Sequence, residues 1–202
     1  YKYGEIPLPR WMRRDVLPED AERYQTIYAK REGSIAAPFA GLHFSRELLK
    51  RLEIKGVLMP EITMHIGLGS FRSIEVEDLT KHKMDAEPVE VTEEAAELVN
   101  RAKLNQKNVC AVGVTSFRAL ETNVTTMKTI TSQNGWTNRF LFPPFHPEIT
   151  TQLITNFHLP YSSMMMMVSA FTGYELLMDV YHKAIKERYH FGGYGDAMMV
   201  ID

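Results

Sequence analysis

The chain predicts an α/β domain, a mixed sheet flanked by helices. Short apolar runs of strand length alternate with longer segments of helical periodicity. Residues able to cap or end an element stand at the boundaries, among them Ser45, Gly56, Gly67 and Thr92. With 202 residues, 45% of them hydrophobic, the chain is long enough to bury a sizeable core.

Residues 1–18 read as an extended lead-in, rich in proline and basic residues from Gly4 onward. Ser45 caps a helix that shows Leu48, Leu49 and Leu52 on one face and stops at Gly56. Ile62, Met64 and Ile66 alternate with Thr63 and His65 in a half-buried strand, closed by Gly67-Leu68-Gly69. A helix follows Thr92, with Glu93 and Glu94 in the first turn where the helix dipole favours acids. Val109 to Val114 is a short buried strand, and Thr115 and Ser116 open a helix through Glu121. Residues 122–138 are polar and read as loop, while Phe140–Phe142 and Leu153–Thr155 read as strands. Met164 to Met167 fill core on a buried helix; the rival reading is an adaptable apolar wall beside a ligand. Tyr174 to Tyr189 is an amphipathic helix with Leu177, Val180, Tyr181, Ala184 and Ile185 inward, and Met198–Ile201 is a last strand.

The net charge of −2 does not mark a nucleic-acid binder. Locally, residues 1–55 are basic, with Arg10, Arg13, Arg14, Lys30, Arg31 and Arg46 among them, and residues 75–97 are acidic. Such a patch can hold phosphates, but on charge alone a solvated surface accounts for it. A single cysteine, Cys110, excludes a disulfide framework; it reads as a buried small hydrophobe in a cytoplasmic protein. No apolar run is long enough for a membrane helix and no signal peptide is visible. The opening Tyr1-Lys2-Tyr3-Gly4, without an initiator methionine, reads as an internal piece of a longer protein.

Several polar clusters sit at strand ends, where ligands of open α/β sheets gather. His65 is one, evenly balanced against a histidine that merely bonds a loop. Gly113 to Arg118 runs a strand into a helix whose first turn offers free N–H groups and the hydroxyls of Thr115 and Ser116. That geometry binds carboxylates or phosphates. Arg118 and Glu121, three apart, read on spacing alone as a surface ion pair. His82, Asp85 and Glu87 make a poor metal site, having no second cluster of matching spacing; Glu87 suits acid–base work or hydroxyl recognition. Asn156 and His158 flank Phe157 in a turn fixed by Pro160, and Gly192 to Asp196 is a turn carrying one carboxylate. There is no P-loop, Gly-x-Ser-x-Gly elbow or zinc signature.

Eight segments, in order, resemble the S-adenosylmethionine:tRNA ribosyltransferase-isomerase family of queuosine biosynthesis. They are GEIPLP (Gly4–Pro9), ERYQTIYA (Glu22–Ala29), GSIAAPFAGLHF (Gly33–Phe44), ITMHIGLGSF (Ile62–Phe71), HKMDAE (His82–Glu87), GVTSFRALE (Gly113–Glu121), TNFHLPYSSMMMMVSAF (Thr155–Phe171) and YGDAMMVI (Tyr194–Ile201). The resemblance implies an α/β domain with a smaller β-barrel inserted in its N-terminal part. Residues 1–202 then form the C-terminal portion of the α/β catalytic domain, with the barrel absent from this chain. The implied reaction uses S-adenosylmethionine as a ribosyl donor. Its ribose joins 7-aminomethyl-7-deazaguanine at the tRNA wobble position and rearranges to give epoxyqueuosine, releasing adenine and methionine. No metal and no membrane are implied.

His43, His65, Glu87, Arg118, Asn156, His158 and Asp196 match motif positions of that family. The resemblance gives His65 or His158 the proton handling, with Glu87 and Asp196 holding hydroxyls or the amine. Thr115, Ser116 and Arg118 would hold the methionine carboxylate or a tRNA phosphate, and Glu121 and Tyr194 complete the substrate-binding set. The chain departs from the pattern at Phe39 (threonine expected), Asp85 (histidine), Pro144 (glycine) and Tyr161 (lysine), and Phe191-Gly192-Gly193-Tyr194 stands for Phe-Phe-Ser-Tyr. These losses leave two alternatives open: a paralogue binding S-adenosylmethionine but acting on another nucleoside or small molecule, and a non-catalytic RNA-binding or scaffold protein.

Overall fold

The computed structural model describes residues 4–9 and 12–201; Tyr1–Tyr3, Arg10, Trp11 and Asp202 lie outside them. The strands form two three-stranded sheets rather than one. In the first, β1 (Ile62–Met64), β2 (Glu87–Val91) and β4 (Gln133–Thr137) run antiparallel in the order β1-β2-β4, with Thr63 opposite Glu90 and Val89 opposite Gly135. In the second, β3 (Cys110–Val112) lies parallel to β5 (Gln152–Asn156), and β6 (Ala197–Ile201) pairs antiparallel with the far edge of β5. The helices are α1 (Asp20–Arg23), α2 (Arg46–Ile54), α3 (Glu93–Leu104), α4 (Val114–Thr122), α5 (Ser163–Thr172) and α6 (Tyr174–Lys186). The chain also makes 3₁₀ turns at Phe39–His43, Leu68–Phe71 and Leu79–Lys81.

Local chemistry fixes the helix starts. Ser45, Thr92 and Ser162 are extended residues whose hydroxyls accept from the amides of Leu48, Ala95 and Met165, at 3.1, 3.1 and 3.2 Å. Each satisfies one amide that a helix cannot bond internally. Gly173, at φ 79°, ends α5 and starts α6, a backbone conformation that favours glycine. The core lies between the sheets and α3–α6. Phe117 and Val168 are wholly buried, and Phe117 meets Phe171 edge to face with centroids 5.5 Å apart. Tyr181 of α6 packs edge-on to Phe157 at 5.6 Å and to Phe191 at 5.5 Å, which ties α6 to the end of β5.

The structure departs from sequence expectation at several points. Residues 122–138, read as loop, contain β4; the polar Gln133-Asn134-Gly135-Trp136-Thr137 becomes a strand because it pairs with all of β2. Phe140–Phe142 is not a strand, since it has no pairing partner and runs into the Pro143–Pro144 cis peptide. Instead Phe140 packs on Phe142 and on His82, with centroids 4.9 and 5.0 Å apart. No residue of α2 is fully buried, and Leu48 on its leucine face is exposed, so the helix lies outside the core. In α6, Leu177, Tyr181 and Ala184 are buried, but the helix ends at Lys186 and Ile185 is 63% exposed. Cys110, at the first residue of edge strand β3, is exposed rather than buried.

Candidate active site

The carboxyl ends of β3 and β5 lie side by side, with Val112 opposite Ile154. Gly113, at φ 89°, turns the chain from β3 straight into α4 and donates to Ile154 O at 2.7 Å. A cleft of about 140 Å³ opens there. Thr115, Ser116 and Arg118 of α4 line one side, and Thr155, Asn156 and His158 line the other. Phe39, Met64, Met164 and Met167 supply apolar wall. The methionines thus play both expected parts: Met165 and Met167 are buried core, while Met164 and Met167 face the cleft.

Arg118 is 1% exposed and does not pair with Glu121. Its Nη1 donates to Glu87 Oε2 at 2.6 Å and its Nη2 to Thr137 O at 3.0 Å, tying α4 to β2 and β4. Burial lowers the Arg118 pKa and the Glu87 carboxylate opposes the fall. The other Glu87 oxygen accepts from Gly67 N at 2.8 Å and Ser70 Oγ at 2.7 Å, so both its oxygens are engaged. Glu121, also buried, accepts from the amides of Glu148, Ile149 and Thr150 at 2.9, 3.1 and 2.9 Å. It shapes the turn leading into β5 and does not line the cleft.

At the end of β5, Asn156 Nδ2 donates to Gly195 O at 3.2 Å and Asp196 O at 3.3 Å. His43 Nε2 lies 3.1 Å from Gly195 O and 3.4 Å from Asn156 Nδ2. The shorter contact is to a carbonyl, and both Asn156 hydrogens already have carbonyl partners, so His43 Nε2 carries its proton and Nδ1 the lone pair. His158 Nε2 pairs with Thr155 Oγ1 at 2.8 Å, and the His158 amide donates to the Tyr181 hydroxyl at 2.8 Å. Burial lowers the His158 pKa to about 4 and keeps the ring neutral near pH 7. Burial also pushes the Tyr181 hydroxyl up to about 12.

Two expected site residues, Asp196 and Tyr194, hold the scaffold around this cleft. Asp196 Oδ2 accepts from the His190 amide at 2.7 Å, which lowers its pKa and closes the turn from 190 to 196. Tyr194 donates to Asp20 Oδ1 at 2.9 Å, and burial followed by the Asp20 bond pushes its pKa up to about 12. Asp20 is gripped at the same time by Arg14, at 2.6 and 2.8 Å, and by Leu17 N at 2.8 Å, which hold its carboxyl below the usual range. His65 points away from the cleft that Met64 and Ile66 line; its buried Nδ1 has no partner and sits 2.8 Å from where a Cβ on Gly33 would be.

The cleft therefore brings together Thr115, Ser116, Arg118, Asn156 and His158, with His43 attached through Asn156 and Gly195. His65, Glu87, Glu121, Tyr194 and Asp196 do not line it. Residue-by-residue reading missed Thr155, a strand-end hydroxyl beside Asn156, and Tyr181, whose helical spacing marks only core. Of the four substituted motif positions, only Phe39 reaches the cleft. Asp85 is exposed 3.5 Å from Arg72, Pro144 lies in the cis turn, and Tyr161 is 75% exposed at φ 60°. No group of three or more His, Cys, Asp or Glu suited to a metal occurs among the described residues.

A concave site beyond the carboxyl ends of parallel strands, beside an uncapped helix start, is where α/β domains gather their ligands, and it places the chain in that class of fold. More narrowly, the chain belongs to the queuosine biosynthesis protein family, which matches residues 1–200. It is 56% identical over 198 residues to the S-adenosylmethionine:tRNA ribosyltransferase-isomerase of Flavobacterium psychrophilum, covering 98% of this chain and 57% of that protein. It is 55% identical over 202 residues to the protein of the same name from Phocaeicola vulgatus, covering 100% of this chain and 58% of that one. The crystal structure of S-adenosylmethionine tRNA ribosyltransferase from Thermotoga maritima is similar with a TM-score of 0.65 and 33% identity, over 80% of this chain and 51% of that one. The chain thus spans little more than half the length of these relatives.

Proposed function

We propose that the protein transfers and isomerises the ribosyl moiety of S-adenosylmethionine onto 7-aminomethyl-7-deazaguanine in tRNA, giving epoxyqueuosine with release of adenine and methionine. One observation carries this reading: five segments that match the family converge on a single cleft. Tyr28 comes from the first, Phe39 from the second, Met64 from the third, Thr115, Ser116 and Arg118 from the fourth, and Thr155, Asn156 and His158 from the fifth. Residues 1–202 are, in this proposal, the C-terminal portion of the α/β catalytic domain of a cytoplasmic enzyme.

The chemistry needs a base for a proton beside the sulfonium, whose positive charge acidifies that carbon. His158 lines the cleft and its ring is neutral, but its Nε2 is bonded to Thr155, so it suits holding substrate in place. His65 has a free Nδ1 but faces Gly33. His43, exposed and with its lone pair on Nδ1, is the better proton acceptor. Glu87, Glu121, Tyr194 and Asp196 act through position: they hold Arg118, the turn before β5 and the loop over Asn156. Several basic residues of the N-terminal stretch are ion-paired, Arg14 to Asp20, Lys30 to Glu61 and Arg31 to Glu90, so tRNA would be gripped by others or by parts of the protein beyond this chain. Three of the four motif losses, at Asp85, Pro144 and Tyr161, lie off the cleft and give no support to a changed acceptor; Phe39 alone stands in its wall.

The test incubates the intact protein with S-adenosylmethionine and tRNA carrying the 7-aminomethyl-7-deazaguanine base. Adenine release and a tRNA adduct of the ribosyl mass are expected. Bound S-adenosylmethionine with neither product would overturn the assigned acceptor, and absence of binding would overturn the donor.

A further inference from the structure

We infer that the cleft holds the α-amino-acid end of its ligand between two strand ends, the carboxylate on the first turn of α4 and the ammonium on Asn156 Oδ1. This rests on the S-adenosylmethionine reading and adds how the molecule is held.

The carboxylate half follows from α4. Gly113 gives the helix no side-chain cap, and the first helical hydrogen bond runs from Phe117 N to Gly113 O at 3.1 Å. The amides of Val114, Thr115 and Ser116 therefore make no protein hydrogen bond among the described residues. Unlike α2, α3 and α5, which serine or threonine hydroxyls cap, α4 presents its dipole and amides uncovered to the cleft. A second observation points the same way. Arg118, 1% exposed, uses its two terminal nitrogens on Glu87 and Thr137, and its Nε is left without a partner. Arg118 lies one turn beyond Thr115 on the same helical face, and helical side chains lean toward the N-terminus. Arg118 also lines the cleft. A buried N–H donor without an acceptor is costly, and an anion at the start of α4 would remove that cost.

The ammonium half follows from Asn156. Its Nδ2 is committed to the carbonyls of Gly195 and Asp196, which fixes the amide orientation. Oδ1 is then a buried acceptor with no donor, in a residue 1% exposed that lines the same cleft. Neighbouring strands lie about 4.8 Å apart. A group that satisfies an anion site beyond β3 and a cation site beyond β5 is consequently small and zwitterionic. A tRNA phosphodiester has no ammonium to offer Asn156 and carries a ribose on each side that would have to follow it into a cleft of about 140 Å³.

Calorimetric titration of the intact protein tests this with S-adenosylmethionine, its decarboxylated analogue and its desamino analogue. Loss of either charged group should weaken binding at least about tenfold. Ser116→Asp, which places a carboxylate at the third helical position where the dipole favours it, should keep the melting temperature and erase the preference for the carboxylated ligand. Decarboxylated or desamino ligand binding within about twofold of S-adenosylmethionine would overturn the inference and leave the ligand reading standing. Failure of all three to bind would overturn both. Salt-dependent tRNA binding lost in Ser116→Asp, with no discrimination among the three ligands, would assign the site to a phosphate instead.

Discussion

At the start of β2, the Glu87 carboxylate accepts from Arg118, Gly67 and Ser70, and both its oxygens are occupied. At the end of β5, Asn156 is equally buried but keeps one oxygen without a donor, next to a helix start whose amides are free. Both places hold polar groups of matched family segments, and both are closed to bulk solvent. They differ in whether the protein completes its own hydrogen bonding. Where it does, the residues brace the fold; at Asn156, where it does not and the residue lines the cleft, the proposed ligand supplies the missing partner.

The sharpest way to break this comparison is Glu87→Ala. Removing one member of the buried pair strands the Arg118 charge and should cost about 3–5 kcal/mol in denaturant unfolding. The double variant Glu87→Leu with Arg118→Met should recover much of that loss; a double variant as unstable as the single one would show that the ion pair is not the cause.

A smaller effect is expected from pH. Folded His158 stays neutral down to about pH 4, whereas a histidine in the unfolded chain takes a proton near 6.5. Its contribution is full above pH 6.5 and is lost as pH falls from there to 4, by about 3 kcal/mol. His158→Gln should lose that slope in chemical melts at stepped pH, and an unaltered slope would place the titration elsewhere.

Smaller again is Tyr181→Phe, which deprives the buried His158 amide of its acceptor. About 2 kcal/mol of stability should go, with the pH slope retained because the ring keeps Thr155. Loss of the slope as well would mean that Tyr181 orients the imidazole and not only the backbone.

The legible parts of this fold were those written locally. Ser45 and Thr92 cap as their types and spacing require, and the Gly113 to Ser116 turn is a strand running into a helix, as expected, although spacing alone favoured an ordinary capped start and the helix has no side-chain cap. What the sequence hid was set by partners distant in the chain. Gln133–Thr137 has little intrinsic strand preference and is a strand only because β2 lies beside it. Arg118 has Glu121 three residues away but reaches Glu87, 31 residues back, because the fold buries the two side by side while Glu121 turns to the amides of Glu148, Ile149 and Thr150. Tyr194 and Asp196 stand in a matched segment, but only the folded chain shows their polar atoms turned to Asp20 and His190 rather than to the cleft. Ile185 fits the helical stripe and still faces out, because periodicity gives a face and not the extent of what covers it.

The loop from His190 to Asp196 bears on how the protein is made. It carries the Gly195 and Asp196 carbonyls that fix Asn156 and His43, and through Tyr194 it reaches Asp20, 174 residues earlier. A Cβ on Gly195 would lie 2.5 Å from His190 O, so the loop has little room to close in another shape. During synthesis from the N-terminus, at about 5–20 residues per second, α4 and β5 emerge well before this loop. The contacts that orient Asn156 accordingly form only after residue 196 has emerged from the ribosome, and a nascent chain halted before residue 190 carries the matched segments of the cleft without them.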